Sequence, residues 1–193
     1  MPDIPYEERC YVLTHYHSDH YGGLTSGWKH GRIYCSNTTA NLICNVLHVD
    51  EAIVMRVEVG STISIKGANI TFLDANHCPG AVILLFRLDN GLNHLHTGDM
   101  RYCSAMKSYP ALSGVKIDKI YLDTTYAHPK HTFMTQDESI SKIVTLAKEF
   151  IAEHAEDGII YMSAYNLGKE RVIFALSDAI DLPVYMDADK IHI

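Results

Sequence analysis

Four residues that can bind metal ions lie close together near the start of the chain, in the pattern His-x-His-x-Asp-His from His15 to His20. Side chains alternate between two faces in an extended segment, so His15 and His17 can share one metal ion. The adjacent Asp19 and His20 must bend away toward a second centre. The pattern therefore predicts a site for two metal ions, and the alternative is a polar turn whose histidines only cap a strand.

Other ligand-type residues each follow a segment that is predicted to be a strand. They are His77, Asp99 and Asp123. Ligands at the ends of neighbouring strands converge in space although they are far apart in sequence. Taken alone, a residue of this kind at a strand end is more often a helix cap or a turn residue than a metal ligand. Imidazole and carboxylate are also the ligands that zinc prefers when a position must stay open for water, so these residue types are compatible with zinc.

Residues 1–127 are predicted to be mainly strands, and residues 128–193 to alternate between helix and strand. The predicted strands of the first part are residues 9–14, 32–35, 63–65, 70–74, 81–88, 93–96 and 119–123, with a helix at 38–47. In the second part, Thr135 and Glu138 form a capping box for a helix. Strands are expected at 159–162 and 183–186, with a helix at 168–180 between them. This alternation is typical of a parallel sheet covered by helices, so we expect a domain boundary near residue 128.

The composition is that of an ordinary globular domain, with 47% hydrophobic and 20% charged residues in a chain of 193. The longest apolar run is far shorter than the ~20 residues needed to cross a bilayer, and the first residues lack the apolar core of a signal peptide. The five cysteines contain no C-x-x-C pair, which argues against a disulfide framework. We therefore expect an intracellular protein without a membrane partner. The net charge of −7 counts against nucleic-acid binding, although bound divalent ions would offset several carboxylates.

The order of these ligands resembles the signature of the metallo-β-lactamase superfamily. That resemblance implies an α/β fold, an αββα sandwich with a dinuclear zinc site between its two sheets. More narrowly, four segments resemble the β-CASP DNA nucleases of interstrand cross-link repair, the group that includes Artemis. They are residues 73–81, 96–101, 122–126 and 168–170.

The resemblance implies a role for each ligand in turn. His15, His17 and His77 would bind the first zinc ion. Asp19 and His20 would bind the second ion, and Asp99 would bridge the two.

Two further residues would act beside the metal ligands. Asp123 matches an acidic motif of the β-CASP proteins, where it would orient a ligand histidine or assist proton transfer. Lys169 lies at a predicted helix start, where it could neutralise a phosphate, and a solvated lysine is the alternative. His94, His96, His128 and His131 are expected to be ordinary surface or core histidines, with contact to the substrate as the less favoured alternative.

The implied function is zinc-dependent hydrolysis of DNA phosphodiesters in the nucleus, as a 5′-to-3′ exonuclease acting on single-stranded or damaged DNA with a 5′-phosphate. The alternatives are an RNA-processing β-CASP nuclease, another hydrolase of the superfamily such as a thioester or lactam hydrolase, or an inactive metal-binding fragment. The family also has an acidic motif before the histidine run and a late histidine near the second metal. Neither has a match in this chain, so we expect an incomplete sandwich and an incomplete second zinc site.

Overall fold

A computed structural model describes Pro5, residues 8–154 and residues 158–191. They form two compact units, the first ending at Thr125 and the second beginning at Tyr126. Among the described residues, every helix is too short or too polar to cross a bilayer. The elements of the first unit are β1 (Cys10–Val12), β2 (Arg32–Ser36), α1 (Asn37–Asn45), β3 (Val54–Val57), β4 (Thr62–Ile65), β5 (Ala68–Asp74), β6 (Val82–Leu88), β7 (Asn93–His96) and β8 (Lys119–Tyr121).

The strands of the first unit form two sheets that pack face to face. Strands β1, β2 and β3 make a parallel sheet, and β4 to β8 make a second sheet that is antiparallel except for the β7–β8 pair. Between them lies a core in which Phe72, Val82 and Leu84 of the larger sheet meet Val57 of the smaller one. The predicted two-sheet sandwich of the α/β class is confirmed.

Alternation along β5 explains why both faces of the larger sheet are covered. Phe72 points into the core between the sheets, whereas its neighbour Leu73 points outward, as the two-residue period of a strand requires. On that outer face Leu73 packs with Ile83 and Met106, the last from a 3-10 turn at Ser104–Ser108. Helix α1 packs against β2 and β3 on the smaller sheet, with Ser36 as its N-cap.

The second unit contains α2 (Gln136–Glu153), α3 (Glu170–Ile180) and the short α4 (Ala188–Ile191). The predicted capping box is confirmed, because the Thr135 side chain accepts from the amide of Glu138 and the Glu138 carboxylate accepts from the amide of Thr135. Helices α2 and α3 contact each other, and Arg171 of α3 forms an ion pair with Asp137 of α2.

The strands predicted at residues 159–162 and 183–186 are wrong, and the described part of the second unit contains no sheet. A strand exists only as part of a hydrogen-bonded pair, and neither segment pairs with another described segment. Their apolar content does not bury them either, since Tyr161 is 89% exposed and Tyr185 is 92% exposed.

Strand β8 also ends earlier than predicted, at Tyr121 instead of Asp123. The amide of Asp123 donates to the Thr97 hydroxyl, so the chain leaves the β-ladder there. This departure brings the Asp123 carboxylate to the loop that follows β7.

Candidate metal centre

Five ligand-type side chains converge where β1, β5 and β7 end. They form two overlapping groups, a first triad of His15, His17 and His77 and a second triad of His15, His20 and Asp99. Within each triad the ligand atoms lie within 4.8 Å of one another. Most of the residues predicted as ligands from the sequence are therefore brought together, and His15 belongs to both groups.

The first triad has a spacing that fits a zinc ion. Nδ1 of His17 lies 3.1 Å from Nε2 of His77. Two nitrogens bound to one tetrahedral zinc ion, each ~2.0–2.1 Å from it, are separated by roughly 3.3 Å. In addition, Nε2 of His15 is buried and has no hydrogen-bond partner among the described residues. Such an atom is costly unless something satisfies it, and a metal ion would do so.

His15 is held in the neutral form that binds metal ions. The pKa of His15 is lowered to about 3. Burial is the largest cause, and the neighbouring imidazoles of His20, His17 and His77 contribute the rest of the decrease. The Thr14 hydroxyl lies 3.1 Å from Nδ1 of His15. When Nδ1 donates its proton to that hydroxyl, the lone pair of Nε2 is free to bind a metal ion.

Asp99 faces both triads. Its Oδ1 lies 3.3 Å from Nε2 of His20, while its Oδ2 lies 3.9 Å from Nε2 of His15 and 3.8 Å from Nε2 of His77. Oδ1 thus faces His20 of the second triad, and Oδ2 faces His77 of the first triad. A carboxylate that bridges two metal ions needs this arrangement. Burial and then His17 lower the pKa of His77, against the opposing effect of Asp99.

Asp19 stands apart from the other predicted ligands. Its Oδ2 lies 3.7 Å from Nε2 of His20, but its side chain is 76% exposed, and it belongs to neither triad. The structure therefore places Asp19 at the margin of the second triad.

Asp123 acts on the backbone beside Asp99. Its Oδ2 accepts from the amide of Met100 at 3.2 Å, and its Oδ1 accepts from the amide of Thr125 at 2.9 Å. Burial raises the pKa of Asp123, but the hydrogen bonds from Thr125 and Met100 outweigh it, so the pKa lies below its ordinary value. The carboxylate is ionised and fixes the peptide that follows Asp99.

The loop that carries His77 is anchored at both ends. The carbonyl of Gly80 accepts from the Ser36 hydroxyl at 2.7 Å, and Gly80 has a φ of +79° with no room for a side chain, since a Cβ would lie 2.7 Å from Cβ of Thr38. Near the other end, Nδ2 of Asn76 donates to the carbonyl of Arg101 at 3.0 Å. The loop is thereby tied to the start of α1 and to the loop of Asp99.

Sequence reasoning missed the residues that hold the ligands in place. Thr14, Thr97 and Ser36 bind ligands or ligand loops through their hydroxyls. His96, which was predicted to be ordinary, accepts from the amide of Gly98 at 3.0 Å. Burial and then His20 lower its pKa. Thr14, His96 and Thr97 lie within three residues of a ligand in sequence, whereas Ser36 lies far from every ligand and offered no such signal.

Lys169 belongs to the second unit and has local partners there. Its Nζ donates to the carbonyl of Ser163 at 2.8 Å, and its backbone has a φ of +67° directly before α3. The Glu170 carboxylate accepts from the amide of Gly168 at 2.7 Å, so an anion of the protein already lies at this helix start. Phosphate binding by Lys169 stays a prediction.

Comparison with known proteins adds the family context. A sequence model of a protein family, described as the beta-lactamase superfamily domain, matches residues 10–154. The chain is 40% identical over 187 residues to the DNA cross-link repair protein pso2/snm1 of Schizosaccharomyces pombe, which covers 95% of this chain and 33% of that protein. The chain is also 38% identical over 170 residues to the 5′ exonuclease Apollo of Gallus gallus. That alignment covers 88% of this chain and 36% of Apollo. The chain thus spans about a third of the length of these curated relatives.

A solved structure matches the fold over most of the chain. It is a protein of unknown function from Enterococcus faecalis V583, with a TM-score of 0.62, 13% sequence identity, and coverage of 94% of this chain and 46% of that one. At this identity the match concerns the fold alone.

Proposed function

The chain belongs to the metallo-β-lactamase superfamily, and on that premise we propose that it carries the metal site of a nuclease that hydrolyses DNA phosphodiester bonds. The observation that carries the proposal is the pair of triads that share His15, with Asp99 facing both. The relatives named for DNA cross-link repair and 5′ exonuclease activity support DNA as the substrate.

In this proposal zinc is the metal and two ions are expected, the second at a site that the sequence predicts to be incomplete. His15, His17 and His77 would hold the first ion. His20 and Asp99 would hold the second, with Asp19 beside it and Asp99 as the bridge. When bound, zinc supplies Lewis acidity, which stabilises charge on phosphate oxygens and lowers the pKa of water to about 7.

The protein's own groups prepare this chemistry. The low pKa of His15 keeps protons from competing for its Nε2 across the physiological range. Asp123 holds the amide of Met100, so the Asp99 carboxylate is presented in one orientation. Two divalent ions would also offset the negative charge of Asp19, Asp99 and Asp123, which would otherwise repel a phosphate.

The finer proposal is a nuclear 5′-to-3′ exonuclease of interstrand cross-link repair that starts from a 5′-phosphate on single-stranded or damaged DNA. The support is the printed names of the relatives and the sequence resemblance, together with the donor set of the two triads. An RNA-processing nuclease, a small-molecule hydrolase and an inactive metal-binding fragment are the outcomes against which it is tested.

The decisive experiment measures cleavage of end-labelled single-stranded DNA with a 5′-phosphate, beside the same DNA with a 5′-hydroxyl and RNA of the same sequence. His17→Ala and Asp99→Ala should each reduce the rate by at least about 100-fold, because loss of a ligand exceeds the roughly 10–100-fold cost of losing a partner of a ligand. The matched controls are His128→Ala and Asp178→Asn, which alter exposed residues of the second unit. A chelator should abolish cleavage in the wild type.

The competing outcomes are distinct. RNA turnover far faster than DNA turnover would favour an RNA-processing enzyme, and equal rates on both 5′ ends would refute recognition of the 5′-phosphate. Undiminished cleavage by the two ligand variants would refute the site. Zinc binding without any hydrolysis would indicate the inactive fragment.

A further inference from the structure

His96 is fixed at the point where β7 ends and the Asp99 loop begins. Its Nδ1 accepts a hydrogen bond from the amide of Gly98 at 3.0 Å, so the ring proton lies on Nε2. Its ring stacks on the ring of Tyr121 from β8, with centroids 5.6 Å apart and planes 26° from parallel. The imidazole therefore has one defined orientation, set by the neighbouring strand.

Gly98 carries that contact at a position that leaves little room for a side chain. A Cβ on Gly98 would lie 3.2 Å from Cβ of Thr14, and Thr14 is the residue whose hydroxyl contacts His15. The Thr97–Gly98 peptide is thus held by the His96 ring, and Gly98 itself lies against the Thr14 side chain. Displacement of this peptide would move Asp99 and press on Thr14 together.

Amides on both sides of Asp99 are bound by side chains, although the one on the N-terminal side belongs to the Thr97–Gly98 peptide and is one peptide removed from Asp99. The amide of Met100, on the C-terminal side, donates to Asp123, and the amide of Gly98, on the N-terminal side, donates to His96. Asp123 was recognised from the sequence, whereas His96 was not. Both contacts restrain the backbone of the loop that carries Asp99.

We propose that His96 is a positioning residue for Asp99, which it acts upon through the amide of Gly98. The inference rests on the proposed metal site and deepens it. Loss of the Nδ1 acceptor should loosen Asp99 as a bridge and weaken binding of the second ion. The imidazole itself contacts neither metal nor substrate in this role.

The test separates the hydrogen bond from the ring. His96→Phe keeps an aromatic ring for stacking on Tyr121 but has no acceptor, whereas His96→Asn places an acceptor oxygen near the position of Nδ1. The matched control is His94→Phe, two residues earlier on the same face of β7 and also beside Tyr121. Zinc stoichiometry and affinity are measured by titration, and the visible spectrum of the cobalt-substituted protein reports on the ligand geometry.

His96→Phe should weaken binding of the second ion by about 10–100-fold, the usual effect of removing a group that orients a ligand. His96→Asn should stay within about threefold of the wild type, and His94→Phe should be unchanged. In a protein that already carries Asp99→Asn, His96→Phe should add no further loss, because it acts only through Asp99.

Three results bear on the inference separately from the proposed function. Wild-type affinity for both ions in a folded His96→Phe protein would overturn it, as would an equal loss in the Asp99→Asn background. If His96→Phe does not fold, failure of His96→Asn to bind the second ion would overturn it. If the wild type binds two ions and cleaves no DNA, the nuclease proposal fails while a zinc defect in His96→Phe still supports positioning by His96.

Discussion

Substitution of Gly80 by alanine should weaken the metal site without altering any ligand. The residue lies three positions after His77, and its φ of +79° is one that an alanine adopts at a cost of about 1–2 kcal/mol. The added methyl group would lie 2.7 Å from Cβ of Thr38 and 2.8 Å from Oγ of Ser36. Relief of such overlaps in packed regions costs a further ~1–3 kcal/mol. The expected destabilisation of the Gly80→Ala protein is therefore about 2–5 kcal/mol.

Gly91→Ala is the matched control. Gly91 has a similar φ of +84°, but a Cβ there meets nothing within 4 Å. The Gly91→Ala protein should therefore be destabilised only by the cost of the positive φ, about 1–2 kcal/mol. Urea unfolding in the presence of a chelator measures the free energy of unfolding of both variants. Zinc titration then measures their affinity for the first zinc ion. We expect Gly80→Ala to bind the first zinc ion at least about 10-fold more weakly, while Gly91→Ala binds it normally.

The reasoning has two points at which it can fail. Equal unfolding free energies for the two variants would show that the contacts of Gly80 with Thr38 and Ser36 do not restrain the loop. Normal zinc affinity in a destabilised Gly80→Ala protein would show that the loop can shift without moving His77.

The remaining predictions concern other parts of the fold. Thr14→Val keeps the shape of a buried side chain but leaves Nδ1 of His15 without its partner, so zinc affinity should fall about 10–100-fold; an unchanged titration would contradict this. His15 has a pKa of about 3 in the folded protein and 6.5 in the unfolded chain. As the pH falls, the unfolded chain is therefore protonated before the folded protein is. The stability of the metal-free protein should fall as the pH drops from 6.5 toward 3. The loss between pH 7 and pH 5 should be about 2 kcal/mol from urea unfolding, and His15→Leu should remove this part of the slope. Thr135→Ala should cost about 1 kcal/mol in thermal unfolding by loss of the α2 cap, whereas Thr145→Ala in the interior of α2 should cost nothing.

Local patterns in the sequence were sufficient for much of the site. His15, His17 and His20 were recognisable because their ligand chemistry is concentrated in one short run, and their convergence with His77 and Asp99 follows from strand ends that meet. The capping box of α2 was recognisable because all its hydrogen bonds lie within four residues.

The sequence did not show which particular segments would pair, nor how individual loops would turn. Residues 159–162 have the composition of a strand, yet a strand requires a partner, and composition does not supply one. The exposure of Asp19 depends on how the chain turns after His17. The role of His96 depends on Tyr121 and Gly98 being placed around it, which only the folded sheet determines.

The contact between His17 and His77 joins residues 60 positions apart, and this has a consequence for the order of folding. Closing so large a loop costs entropy that a single pair of imidazoles does not return, so the pairing of strands must come earlier and bear that cost. The complete set of ligands in the first triad is then available to a metal ion only after both sheets have docked. A zinc ion bound to that complete set should therefore slow unfolding more than it speeds folding.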